Sequence, residues 1–458
     1  MSNLLGERAI VIGGSLAGLM AARVLADHFE RVMILERDQI AERPALRKSV
    51  PQASHAHALF LGGQRVMSRL YPGVDEKLLG FGGVRARAGI EFAVLSPAGK
   101  AYSFGGGVRE PRDLGLEIYY QSRSLLEHCV RLCTLEAANV SLASGVTVQR
   151  LTCRDGRIRG VTCVQNEATS FMEADFVVDA GGRGSHAPRW LSELGFAPPE
   201  ETKIVVDFAY SSARFHLPSY AEPERAWIAI GPGPNYPKAG FLIANEENVW
   251  MLTLGGRFGD HPPTDENGFL AFTKSLHSSK IYELVKHGER ISEITHYRFP
   301  SSLQRHYEGL SNCPERFVVL GDAVASFNPV YGQGMSSAAQ QVEALQFELN
   351  ERVGGAQWWQ GFAPAFFARV AEIIATPWRL AAHSDFAFPQ TRGERPPGLN
   401  DNDRYIAAVE ELSAGDEEVQ KLVWEVFNLA KPLSALSEEP LRSRVLAKMQ
   451  ASPTGRVQ

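Results

Sequence analysis

Residues 9–38 read AIVIGGSLAGLMAARVLADHFERVMILERD, and this stretch decides the fold. The apolar run Ala9-Ile10-Val11-Ile12 has the length and composition of a buried strand. It meets Gly13-Gly14-Ser15-Leu16-Ala17-Gly18, after which Ala17, Ala21 and Leu25 recur at helical spacing beside Met20 and Val24. A second strand over 32–35 ends at Glu36, 23 residues past Gly13. This is the layout of a βαβ unit that cradles a dinucleotide. The glycines permit the tight turn and close backbone approach, the helix N-terminus faces the pyrophosphate, and the terminal acid reaches a ribose. The acid favours FAD or NAD over NADP.

With 458 residues, 44% of them hydrophobic, the chain has material for two or three domains with full cores. A net charge of -5 gives no reason to expect nucleic acid or an anionic membrane surface as partner. The five cysteines, Cys129, Cys133, Cys153, Cys163 and Cys313, are odd in number and form no CxxC pair. Cys129 and Cys133 stand one helical turn apart and read as packing residues, so no metal site is expected. There is no signal-peptide pattern and no apolar run of about 18 residues to span a bilayer. The expectation is a cytoplasmic protein without a transmembrane segment.

Residues 43–57 are basic and irregular. Arg47 and Lys48 are candidates for phosphate or flavin contact, the alternative being a solvated loop. His55 and His57 share a face only if the segment is extended, and without a third ligand they read as structural or pocket-lining. An amphipathic helix through Leu59, Val66, Leu70 and Tyr71 follows, then strand-like alternation over 84–104 and a helix over 122–138. Strands over 145–151 and 161–164 flank a hairpin signal, Asp155-Gly156, and a strand over 174–178 closes on Asp179-Ala180-Gly181-Gly182-Arg183-Gly184-Ser185. Further strand-like runs cover 204–210, 213–217, 226–230, 240–243 and 249–254. They carry Phe208, Tyr210, Phe215, Trp227, Phe241 and Trp250, which suit either the wall of an apolar pocket or a sheet packed on helices. The strand over 316–320 runs into Gly321-Asp322. Then Asn328-Pro329-Val330-Tyr331-Gly332-Gln333-Gly334 opens a helix with Ala338, Val342, Leu345 and Leu349 on one face. Here too backbone amides face a ligand, and Asp322 can accept from a sugar hydroxyl. Beyond 355 the chain is helical with a break at 392–398.

The expected fold class is α/β: a Rossmann-like FAD-binding domain (1–83, 105–195 and 297–354) interleaved with a β-sheet substrate domain (84–104 and 196–296), plus a helical C-terminal segment (355–458).

GGSLAG with Glu36, DAGGRGS at 179–185 and GDAVASFNPVYGQG at 321–334 stand in the order of the GxGxxG, DG and GD motifs. In that order they resemble the flavoprotein monooxygenases of the aromatic-hydroxylase superfamily. LRKSVPQASHAHALFLGG, VVDAGGRGS, GDAVASFNPVYGQGMSSAA and WRLAAHSDFAFP extend the likeness to the branch of polyketide polyene epoxidases of polyether biosynthesis. The resemblance implies FAD as cofactor. Gly13, Gly14, Ser15, Ala17 and Gly18 would line its pyrophosphate, Glu36 and Arg37 its adenosine ribose, and Val148 its adenine. Arg123 would lie near the flavin and its phosphates, with Asp179 and Gly182 in the DG turn. Asp322 would hold the ribityl chain or pyrophosphate, and Pro329, Gly332, Gly334 and Met335 would flank the isoalloxazine.

The implied activity inserts one oxygen atom from O2, via a flavin C4a-hydroperoxide, into a lipophilic natural product, with alkene epoxidation foremost. Aromatic or indole hydroxylation on the same cofactor, or flavin-dependent reduction of isoprenoid double bonds, are the alternatives. The chemistry is flavin-borne, so no catalytic side chain is assigned, and Phe208, Tyr210, Phe241 and Pro329 are the pocket candidates. Gly181 replaces the aspartate of the DG motif, which leaves NADPH or NADH, or a separate flavin reductase, as electron donor. Val324-Ala325 stands where many aromatic hydroxylases carry Ala-His. No WxWxIP segment is present, the nearest run being Trp227-Ile228-Ala229-Ile230, so a flavin halogenase is not expected.

Overall fold

Strand β1 (Gly6–Ile12), helix α1 (Leu16–Ala26) and strand β2 (Phe29–Glu36) form the expected βαβ unit in the structure, a computed structural model. It describes residues 4–95, 101–102, 112–219, 227–231 and 236–451. Five parallel strands make the first sheet, in the order Phe317–Val319, Phe176–Asp179, β1, β2, Val140–Ser144. Both faces are covered, which is why these strands read as continuous apolar runs. On one face α1 packs between Arg123–Leu135 and Gly334–Asn350. Phe29, Phe176, Trp358 and Phe362 pack edge to face and stacked at centroid distances of 5.3–6.0 Å, burying the start of the sheet.

A three-stranded meander, Thr147–Arg154, Arg157–Gln165 and Ala168–Glu173, hangs between the third and fourth parallel strands in the chain. Its first turn has Asp155 and Gly156 at φ 53° and 73°, the left-handed pair that a two-residue hairpin needs.

The larger sheet is mainly antiparallel and contains ten strands among the described residues. Its longest member is Glu200–His216. The sequence suggests two strands here, 204–210 and 213–217, but the chain runs through without a turn. Ser211 Oγ donates to the Pro262 carbonyl at 2.9 Å and Ser212 Oγ pairs with Thr253 Oγ1 at 2.6 Å, so these buried hydroxyls are satisfied inside the sheet. Thr295–His306 pairs along the same strand, carrying this sheet across the expected boundary at 296/297. Of the 84–104 run, Val84–Arg87 pairs with Glu117–Tyr120 in a separate ribbon, while Phe92–Leu95 joins the large sheet parallel to Trp227–Ile230. Residues 96–100, 103–104 and 226 of these expected strands lie outside the described residues, as does the 105–111 end of the expected FAD-binding segment.

Helices Glu266–Lys274 and Lys280–Val285 cover one face of this sheet through Phe269, Phe272, Ile281 and Leu284. The C-terminal helices Leu399–Gly415, Glu417–Phe427 and Leu441–Ala451 share a small core of their own around Val409, Val423 and Val445. Among the described residues no helix is long and apolar enough to cross a membrane.

Candidate active site

A cleft of about 1100 Å³ runs from the C-terminal ends of the parallel strands to the antiparallel sheet and the C-terminal helices. Single-ligand pockets span about 300–1,000 Å³, so the space suits a cofactor together with a substrate.

At one end the glycine turn is shaped by close approach. Gly13 has φ +101°, and a Cβ on it would stand 2.6 Å from the Ala180 carbonyl oxygen; a Cβ on Gly18 would stand 1.9 Å from the Gly13 carbonyl oxygen. Only glycine admits this packing of turn against helix and neighbouring strand. Ser15 is the N-cap of α1, yet its side chain makes no capping bond. It donates instead to Glu127 Oε2 at 2.7 Å and accepts from Arg123 Nη2 at 2.8 Å. The first-turn amides of α1 are thereby left for an anion. Arg123 is buried and lines the cleft, and its Nη1 has no protein partner. Burial lowers its pKa against the pull of Glu127. An orphaned guanidinium nitrogen beside an uncapped helix start and a glycine turn fits a pyrophosphate.

Glu36 is buried and already engaged. Its Oε2 accepts from Gly14 N at 2.8 Å and pairs with Arg47 Nη1 at 3.0 Å, while Oε1 accepts from Asp38 N at 2.9 Å. Ser49 Oγ donates to Oε1 at 3.5 Å, so each of the about four lone-pair sites of the carboxylate has a partner in the chain, and a ribose hydroxyl would take the place of this long contact. Arg47 is wedged between Glu36 and Glu127 and does not line the cleft; Lys48 is exposed and also lies outside the lining. Arg37 and Val148 line it. Gly14 and Gly18 stand behind the surface, whereas Gly13, Ser15 and Ala17 form it.

Asp179 serves its own turn: Oδ1 accepts from Gly181 N at 2.7 Å and Oδ2 from the Ser185 hydroxyl. It lines the cleft with Gly182. Asp322 also lines it, half-buried and without a hydrogen-bond partner among the described residues. Burial raises its pKa, opposed by Arg123 and Arg183. An acceptor placed between two cations and opening on the cleft suits hydroxyls of a ribityl chain. Pro329, Gly332, Gly334 and Met335 complete this wall.

The other half is built from the sheet, residues 55–60 and the C-terminal helices. Tyr210 and Phe241 line it, but Phe208 does not. Phe208 is buried beneath Tyr210 at 4.7 Å between centroids, with the Arg257 guanidinium 5.2 Å over its ring. It shares a strand face with Tyr210, but that ring and the guanidinium cover it. His55 and His57 both reach the lining. His55 Nδ1 bonds Ser212 Oγ at 2.7 Å, and its ring lies 5.5 Å from Tyr210 and 5.9 Å from Tyr297. Burial, with His57 and His296 nearby, pushes its pKa down to about 3. His57 Nδ1 donates to the His55 carbonyl at 2.9 Å, and burial beside the Arg123 cation pushes its pKa down to about 4. Both imidazoles are neutral at pH 7.

Sequence reasoning did not pick out a polar quartet that runs from this wall, where Asn328 and Tyr331 line the cleft, to the buried Arg257 and Asp385 behind it. Arg257 and Asp385 form a fully buried ion pair at 2.7 Å. Asp385 Oδ1 also accepts from Tyr331 Oη at 2.7 Å and Asn328 Nδ2 at 3.0 Å, and Arg257 Nη2 bonds Tyr331 Oη at 2.9 Å. The guanidinium is sandwiched by Phe208 and Phe388, at 5.2 and 4.5 Å. One carboxylate thus ties the loop holding Pro329 to both the sheet and the long helix Phe362–Phe386. The signal in the sequence was faint: an arginine ending an apolar strand, and an aspartate in the WRLAAHSDFAFP segment. Among the described residues no cluster of His, Cys, Asp or Glu could hold a metal ion.

This architecture is that of flavin-dependent oxygenases and halogenases. The flavin-dependent brominase Bmp2 superposes with a TM-score of 0.67 at 13% identity, over 97% of this chain and 100% of that one. The p-nitrophenol 4-monooxygenase PnpA of Pseudomonas putida DLL-E4 does so with 0.63 at 14%, over 92% and 99%. The flavin-dependent halogenase CmlS gives 0.65 at 16%, over 97% of this chain and 78% of that one. No family model matches. The chain is 30% identical over 455 residues to Protein Rv3254 of Mycobacterium tuberculosis (strain ATCC 25618 / H37Rv), covering 96% of this chain and 93% of that protein. It belongs to the family of Rv3254.

Proposed function

We propose that the protein is an FAD-dependent monooxygenase that places one oxygen atom of O2 on a lipophilic natural product, with epoxidation of an alkene as the reaction its cleft suits best. FAD would lie along the glycine turn, with Arg123 and the α1 N-terminus at its pyrophosphate, Glu36 at its ribose and Asp322 at its ribityl hydroxyls. Bound and reduced, it would supply the oxygen-activating chemistry. The chain would hold the alkene against it and keep water out.

The observation that favours an alkene is the aromatic and apolar make-up of the cleft wall, Tyr210, Phe241, Phe327 and Phe427 among it, together with the burial of His55 and His57, which lowers their pKa values. Phenol hydroxylation draws on a base that helps ionise a phenol of pKa about 10. His57, whose pKa burial and the Arg123 cation push down to about 4, is a weak base for that step. An alkene needs no such base. The flavin-dependent fold relatives support oxygenation on a flavin in general, and the alkene is our reading of the cleft. Gly181 in the DG turn, and an Asp179 spent on its own loop, favour a separate reductase over direct NADPH or NADH use.

The test is purified, FAD-loaded protein given a flavin reductase, NADH, ¹⁸O2 and a panel of lipophilic alkenes. An epoxide carrying one ¹⁸O is expected. Oxygen incorporation confined to phenols or indoles would replace epoxidation by ring hydroxylation. Turnover only under anaerobic conditions would replace oxygenation by double-bond reduction, and bromide-dependent halogenation would favour the chemistry of the brominase relative.

A further inference from the structure

We propose that the cleft accepts an amphiphilic lipid with a single carboxylate, and that Arg379 pairs with that acid head. The inference rests on reading this half of the cleft as the substrate site.

Three arginines and no lysine line the cleft among the described residues: Arg37, Arg123 and Arg379. Arg37 neighbours Glu36 at the expected adenosine end, and Arg123 is bound to Ser15 at the glycine turn. Arg379 alone comes from the substrate side. It projects from the helix Phe362–Phe386, whose Leu380, His383 and Ser384 face the same space, as do Ala387 and Phe388 just beyond its end. Trp378 beside it packs on Phe327 at 6.3 Å, which anchors this turn of the helix.

The Arg379 side chain is half-buried and has no hydrogen bond, ion pair or ring contact among the described residues. The ionisable neighbours in the lining differ from it, since His383 and Glu410 both have partners. The C-terminal segment contributes Leu399, Ile406, Phe427, Leu433 and Leu436 to the wall of the same cleft. A partly desolvated cation in an apolar wall favours an anion, because the local dielectric strengthens attraction and water solvates the charge less fully. The planar guanidinium matches one carboxylate through two parallel N–H···O bonds. A diphosphate carries more charge than one arginine balances. The leucines and Phe427 of this wall suit a hydrocarbon chain continuing from the acid towards Tyr210 and Phe241.

Binding to the FAD-loaded protein separates this from the proposed reaction, because it is read without turnover. Calorimetric titration would use oleate, methyl oleate and farnesyl diphosphate on wild type, Arg379→Gln and Arg379→Lys, with flavin content and circular dichroism confirming each variant is folded. Oleate is expected to bind wild type about tenfold more tightly than its methyl ester, a difference of about 1.4 kcal/mol. Arg379→Gln should remove that difference while changing ester affinity less than twofold, and Arg379→Lys should restore part of it. Equal binding of acid and ester by wild type, or no binding of either, would overturn the proposal. So would an equal loss for both in Arg379→Gln. Tighter binding of farnesyl diphosphate than oleate would overturn the carboxylate in favour of a phosphorylated lipid. Carboxylate selectivity without oxygenated product from any alkene would leave this inference standing and remove the monooxygenase reading instead.

Discussion

Replacing Asp385 by alanine should cost far more stability than its single ion pair suggests. The carboxylate is fully buried, and its Oδ1 takes three donors, from Arg257, Asn328 and Tyr331. Truncation leaves the guanidinium of Arg257 uncompensated inside the protein, with Phe208 and Phe388 against its faces. Breaking a buried pair from one side costs about 3–5 kcal/mol, whereas replacing both partners with apolar groups of similar volume is often near neutral. The double variant Arg257→Met, Asp385→Leu should therefore lose less than Asp385→Ala alone. Urea unfolding of the FAD-loaded proteins, followed by tryptophan fluorescence, gives both numbers. A second readout is flavin retention, because Asp385 holds the Asn328–Tyr331 loop that carries Pro329 against the cleft. The reasoning is refuted if Asp385→Ala unfolds within about 1 kcal/mol of wild type, or if the double variant is the less stable of the two, contrary to the cost of a stranded buried charge.

Gly13→Ala should purify without flavin, because its Cβ would meet the Ala180 carbonyl oxygen at 2.6 Å with φ at +101°; the absorbance ratio at 450 and 280 nm, roughly zero against a loaded wild type, checks it. Arg123→Met should weaken FAD binding at least about tenfold by removing the orphaned donor at the pyrophosphate, measured by flavin fluorescence on dilution. The histidines make stability depend on pH. His55 and His57 have folded pKa values of about 3 and about 4, below the unfolded value of 6.5, so the unfolded chain binds more protons between these limits. Their contribution is whole above about pH 6.5 and is lost as pH falls towards 4 and then 3, at up to about 1.4 kcal/mol per unit per group. His55→Gln should flatten urea midpoints over that window; an unchanged pH slope would refute the assignment.

Much of the cofactor end was legible in the residues because its determinants are local. The turn at Gly13, the cap at Ser15 and the first turn of α1 lie within a few positions of one another, and backbone sterics impose the spacing. The same holds for the Asp155-Gly156 hairpin and the Asp179 turn, whose carboxylate bonds residues two and six positions on. Strand-like runs over 204–217 were harder, because Ser211 and Ser212 resemble a break until their partners across the sheet are known.

By itself the sequence determined the βαβ unit and the two later turns that close on it at the strand ends of the parallel sheet. Only the tertiary structure decided which side chains face the cleft there. Phe208 and Tyr210 look alike on one strand face, yet only Tyr210 reaches the cleft, because Arg257 lies on Phe208. Arg257 and Asp385 stand 128 residues apart, and no local pattern marks them as partners. A charge that far from its counterion along the chain can be recognised only where folding removes water from both, and that condition belongs to the assembled core.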